Sequence, residues 1–119
     1  MLIRFKSLTQ KRRSKYNNTR TQYDGHTFDS IAECDYYKHL LKFQRAGQIV
    51  MILRQVPFHL TSNRDNIAKY ECDFQVFYED GRIEFVDVKG VETPMFKLKK
   101  KLVESQYPVE IKVIKKGEW

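Results

Sequence analysis

Several residue types and motifs are scarce in this sequence, and each scarcity excludes a class. Only two cysteines occur, Cys34 and Cys72, too few for a disulfide scaffold or an all-cysteine zinc site. Both lie within apolar patterns, which points to buried free thiols. No apolar run approaches the ~20 residues of a membrane span, and the first residues lack a signal peptide's apolar stretch. Pro/Gly/Ser linkers, low-complexity tracts and internal repeats are all missing. So are GxxxxGK[ST], GxGxxG and GxSxG, which leaves nucleotide-driven work and serine hydrolysis without support. His26, His39 and His59 are dispersed and lack metal-ligand spacing, which disfavours a His-metal centre. A soluble, cytoplasmic protein without membrane association is expected.

What remains is enough for one domain. A chain of 119 residues, 41% apolar and 13% aromatic, buries roughly 65% of its unfolded surface on folding. Its net charge of +7 is unevenly placed. Residues 1–20 hold Arg4, Lys6, Lys11, Arg12, Arg13, Lys15 and Arg20 and no acid, whereas residues 21–119 carry 15 bases and 15 acids. The sequence therefore divides into a basic arm, 1–20, and a neutral domain, 21–119. Such an arm is suited to a polyanion, most commonly nucleic acid.

Periodicity gives the element order. A helix is expected from Ser30, as its cap, to the stop at Gly47, with Ala32, Tyr36, Tyr37, Leu40, Leu41 and Phe43 as its apolar stripe. Glu33 lies in the middle of that stripe. Strands are expected over 50–60, 69–78 and 82–89, with Pro57 marking an edge strand. In the second strand, Tyr70, Cys72, Phe74, Val76 and Tyr78 should share one face. A second helix runs from Pro94, capped by Thr93, to Gln106, and a last strand spans 109–114. The order is α, β, β, β, α, β; its closing strand–helix–strand unit implies a parallel pair and a mixed sheet.

Charged residues at awkward places suggest chemistry. Asp73 is central in its strand, where Asp is disfavoured. Asp87 and Lys89 flank Val88 just before Gly90, and alternation puts those two on one face. A three-residue Glu79-Asp80-Gly81 loop, with Gly81 at positive φ, would set Gln75 opposite Phe85 and Asp73 opposite Asp87. Two converging carboxylates need a cation, and hard oxygen ligands suit Mg²⁺ or Mn²⁺. Lys89 would then orient or deprotonate water, or stabilise charge on a phosphate. Glu33 has two compatible roles, closing a Ser30-x-x-Glu33 capping box and supplying a further site carboxylate.

Asp73 followed by Asp87-Val88-Lys89, in this element order, resembles the PD-(D/E)XK nuclease signature. The phrases YDGHTFDSIAE, YECDFQVFYEDGR, FVDVKGVETPMFKLKKKL and YPVEIKVI are similar to a phage and prophage family, domain of unknown function 1064, over roughly residues 13–114. The resemblance implies an α/β restriction-endonuclease-like core (αβββαβ), a central mixed sheet flanked by helices. It implies Asp73, Asp87 and the Val88 carbonyl as metal ligands, Lys89 as the catalytic lysine, and Glu33 as the first-helix acid of resolvase-like relatives. The expected activity is Mg²⁺- or Mn²⁺-dependent cleavage of DNA, duplex or branched, by a phage or prophage product in the bacterial cytoplasm. Arg12, Arg13, Lys15, Tyr16 and Arg20, with Lys97, Lys100 and Lys101, would hold backbone phosphates. Symmetric cutting of two strands would suit a homodimer. The alternative is a non-catalytic nucleic-acid-binding module on the same fold.

Overall fold

A computed structural model describes residues 19–119. A short ribbon, β1 (Thr21–Tyr23) and β2 (His26–Phe28), precedes helix α1 (Ile31–Arg45). Strands β3 (Ile49–Ser62), β4 (Asp65–Tyr78) and β5 (Ile83–Val88) follow, then helix α2 (Pro94–Gln106) and strand β6 (Ile111–Ile114). The sheet order is β3-β4-β5-β6, antiparallel except for the parallel β5–β6 pair. The expected mixed sheet and two helices are present, and β3, which carries Pro57, is an edge strand. The β1–β2 ribbon is an addition to the expected order. Its signal was Asp24-Gly25, whose positive φ values of 54° and 77° fit a two-residue hairpin turn.

Local chemistry sets the helix ends. Ser30 Oγ accepts the Glu33 N–H at 3.1 Å, and Gly47 ends α1 at φ +83°. Thr93 Oγ1 accepts the Phe96 N–H at 3.1 Å, with Pro94 in the first turn of α2. Along α1 the buried face is Glu33, Cys34, Tyr36, Tyr37 and Leu40; Phe43, expected in the stripe, reaches the exposed rim. Both cysteines are buried and free.

Each helix covers one face of the sheet. Tyr36, Tyr37 and Leu40 of α1 pack on Phe74, Val76, Val86 and Val88. Phe96 and Val103 of α2 pack on Phe58, Leu60, Tyr70, Cys72 and Ile111. The expected single face for Tyr70 through Val76 is therefore divided. Tyr70 and Cys72 lie under α2, whereas Phe74 and Val76 lie under α1. β3 changes in step, with Ile52 on the α1 side and Val56, Phe58 and Leu60 on the α2 side. The reversal falls at Gln55, which has φ +52°, opposite Asp73; neither takes part in the ladder between the pairs Arg54↔Phe74 and Val56↔Cys72. A left-handed residue interrupts strand alternation, so one long hairpin contributes to two cores.

The β4–β5 hairpin turns through Glu79-Asp80-Gly81, with Gly81 at φ +95°. Its register sets Gln75 opposite Phe85 and Phe74 opposite Val86, where backbone pairing stops. Beyond that point β4 and β5 part.

Candidate active site

At the fork between β4 and β5 lies a cavity of about 440 Å³. Its wall takes Ser30, Ala32 and Glu33 from the first turn of α1, and Thr93 and Phe96 from the start of α2. Asp73, Val88, Lys89 and Lys116 also line it, with Asp29, Gly90 and Val91 at its edge. Four of the residues singled out by sequence, Glu33, Asp73, Val88 and Lys89, thus line one cavity. Two helix N-termini at its rim leave backbone N–H groups and partial positive charge beside it, favourable to an anion.

Side chains replace the backbone ladder at the fork. Asp87 Oδ1 accepts the Asp73 N–H at 3.0 Å, and Asp73 Oδ2 accepts the Val88 N–H at 2.9 Å. Asp87 Oδ2 accepts the Tyr70 hydroxyl, and Asp87 is 0% exposed. Asp87 therefore lies behind the cavity wall, bonded to the backbone of Asp73, rather than on the wall with Asp73. Lys89 links the two, because its charge favours the ionised form of each. Its Nζ sits 4.6 Å from the centroid of the Phe96 ring, on the α2 side with Asp87, as alternation required.

Glu33 is 3% exposed and closely held. Its Oε1 accepts the Asp29 N–H at 3.3 Å, one residue before the N–H that a capping box would engage. Its Oε2 accepts Gln55 Nε2 at 3.0 Å and lies 3.5 Å from Arg54 Nη2. Arg54 stacks on the Phe28 ring at 4.0 Å and donates to the Thr27 carbonyl, which ties the β1–β2 ribbon to the site. Burial, then the charge of Asp73, pushes the Glu33 carboxyl up to about 7, although Arg54 opposes the shift. Burial also raises Asp73, against the Val88 N–H and Lys89, and raises Asp87 against Lys89. Glu33 and Asp73 thus line one cavity, buried and near enough for the charge of Asp73 to disfavour that of Glu33.

That donor set suits a hard divalent cation. Mg²⁺ is commonly held by one or two carboxylates, keeping water and substrate phosphate as its remaining ligands. Glu33 and Asp73 supply two carboxylates on one cavity wall, with Val88 beside them. Among the described residues no group of three His, Cys, Asp or Glu is placed to hold a metal ion together.

A family model described as "Protein of unknown function (DUF1064)" matches residues 13–117. The chain belongs to this family. No curated protein and no solved structure matches it significantly.

The DUF1064 match begins inside the basic arm and takes in Arg13, Lys15, Tyr16 and Arg20. Of the arm residues singled out by sequence, Arg12, Arg13, Lys15 and Tyr16 lie outside the described residues. Arg20 is exposed and 4.0 Å from Asp29, itself on the cavity wall, so the arm joins the domain at the rim. Lys97, Lys100 and Lys101 line a separate depression along α2, and Lys100 is 3.2 Å from Glu104. Sequence reasoning missed Lys116, Gln55, Arg54 and Tyr70. Lys116 had only its place in a basic tail as a signal, and Gln55 had none.

Proposed function

We propose that this protein is a divalent-metal-dependent endonuclease of PD-(D/E)XK type that hydrolyses DNA phosphodiester bonds, with branched phage recombination or replication intermediates as the expected substrates. The observation that carries this reading is the meeting of Glu33, Asp73 and Lys89 in one cavity at the β4–β5 fork. Glu33 and Asp73 would hold the cation, with the Val88 carbonyl beside them and Asp87 supporting Asp73 from behind. Such a cation supplies Lewis acidity at the phosphodiester.

The chain's own residues account for the rest. The α1 and α2 N-termini draw the phosphate into the cavity. Lys89 Nζ stabilises negative charge as it develops on the phosphate, where a fixed cation acts most strongly in the transition state. Phe96 under that ammonium holds it in place. Arg20 and Lys116 at the rim engage flanking phosphates without reading sequence.

The test is incubation of the purified chain with four-way junction, flap, duplex and single-stranded DNA in Mg²⁺ or Mn²⁺. Cleavage at the strand-exchange point of the junction supports the reading and its substrate class. Tight retention of DNA with no product in either metal supports the binding module instead.

A further inference from the structure

Among the described residues, four other than glycine have positive φ: Asp24, Gln55, Asn63 and Arg64. Asp24 lies in the β1–β2 turn, and Asn63 and Arg64 form the β3–β4 turn, where left-handed geometry is what a two-residue loop demands. Gln55 is different. It stands in the middle of β3, a strand of 14 residues, where no turn requires it. The left-handed region disfavours a residue with a Cβ, and glycine would take the same φ without that penalty. A glutamine in that conformation points to work for its side chain.

That side chain ends on a site carboxylate, where Gln55 Nε2 donates to Glu33 Oε2 at 3.0 Å. The Gln55 backbone stands across from Asp73, between the pairs Arg54↔Phe74 and Val56↔Cys72, so the residue that holds Glu33 is also the strand neighbour of Asp73. Glu33 comes from α1 and Asp73 from β4, so Gln55 is a clamp between separate elements. We infer that Gln55 is a positioning residue that fixes the spacing of Glu33 and Asp73, and thereby the affinity of the site for its divalent cation and the rate of cleavage. This inference rests on the nuclease reading above.

The experiment uses the full chain as wild type, Gln55→Gly and Gln55→Met. Glycine accepts the backbone geometry and removes the amide; methionine keeps the side chain's length and removes the donors. Mn²⁺ binding is measured by calorimetry without DNA, with thermal melts and single-turnover cleavage alongside. The melting temperature of Gln55→Gly should stay within a few degrees of wild type. Both variants should lose about 10- to 100-fold in Mn²⁺ affinity, the range seen when partners behind metal ligands are removed. Cleavage should slow in parallel at saturating DNA, while KM for DNA stays the same. Wild-type Mn²⁺ affinity and turnover in both variants would overturn the inference alone. A wild type that neither binds Mn²⁺ nor cuts DNA would overturn the nuclease reading, and this inference with it.

Discussion

Asp73 and Asp87 are joined through the backbone rather than through a shared ligand. Asp87 Oδ1 accepts the Asp73 N–H, and Asp73 in turn accepts the N–H of Val88, the residue after Asp87. The two side chains thereby end the β4–β5 ladder and hold the fork open, which makes the cavity. Asp73 faces that cavity and Asp87 supports it from the α2 side.

This arrangement separates two effects of changing Asp87. Asp87→Ala leaves the Tyr70 hydroxyl and the Asp73 N–H without partners in the interior, a loss of roughly 2–4 kcal/mol. Asp87→Asn keeps an acceptor for the Asp73 N–H and can still pair with Tyr70, so its melting temperature should stay close to wild type. Because Asp87 serves as support, Asp87→Asn should retain most cleavage; a collapse of cleavage at normal stability would mean that Asp87 reaches the cation. Thermal melts and cleavage assays on the two variants give the answer.

The Glu33 carboxyl titrates near 7 in the fold, against 4.5 as its ordinary value. Between those values the folded chain binds the extra proton, so this group makes stability fall as pH rises through 4.5–7. In chelator, Glu33→Gln should therefore gain stability relative to wild type across that window. The gain should be largest above about pH 7 and smallest near pH 4.5. Melting curves of both proteins from about pH 4 to 8 check it; parallel curves would mean that Glu33 is well neutralised in the fold.

Lys89 favours the ionised form of both aspartates while its own charge borders the cavity. Lys89→Ala removes a positive charge beside the carboxylates, so Mn²⁺ affinity should hold or rise. Turnover should nevertheless fall about 10²–10³-fold, as when a fixed transition-state partner is removed. Calorimetry and single-turnover rates on the same preparation distinguish this from simple loss of the ion.

The basic arm makes a separate prediction. Since residues 21–119 carry equal numbers of acids and bases, deleting residues 1–20 should weaken binding to all DNA forms alike. The salt dependence should flatten by up to about 0.9 log unit per log of salt for each duplex phosphate that the arm neutralises. An unchanged slope would mean that the arm neutralises none.

Much of this molecule is legible in its sequence because local chemistry decides it. Ser30, Thr93 and Pro94 mark the helix starts, and Gly47 marks the end of α1. Gly81 sets the hairpin loop, and with it the register that brings Asp73 near Asp87. The Asp24-Gly25 turn was equally legible, although it lies next to the charged arm. The exchange of faces at Gln55 was not. The apolar pattern of the sequence alternates through both strands, and only packing against two different helices gives a reason to reverse it. For the same reason Asp87 is expected in the cavity and found behind its wall. Alternation assigns a side, but it does not say which neighbour, here Tyr70, captures the carboxylate.

In the proposed nuclease, Asp73, in a cavity with Glu33 and Lys89, carries phosphodiester hydrolysis. The most direct test is single-turnover cleavage of a labelled four-way junction by wild type and Asp73→Asn, in Mg²⁺ and in Mn²⁺. Junction binding is measured in parallel in Ca²⁺. Wild type should cleave and Asp73→Asn should not, while the variant binds the junction as tightly or more tightly, since a negative charge facing the phosphate is gone. Cleavage by Asp73→Asn at the wild-type rate would contradict this role of Asp73.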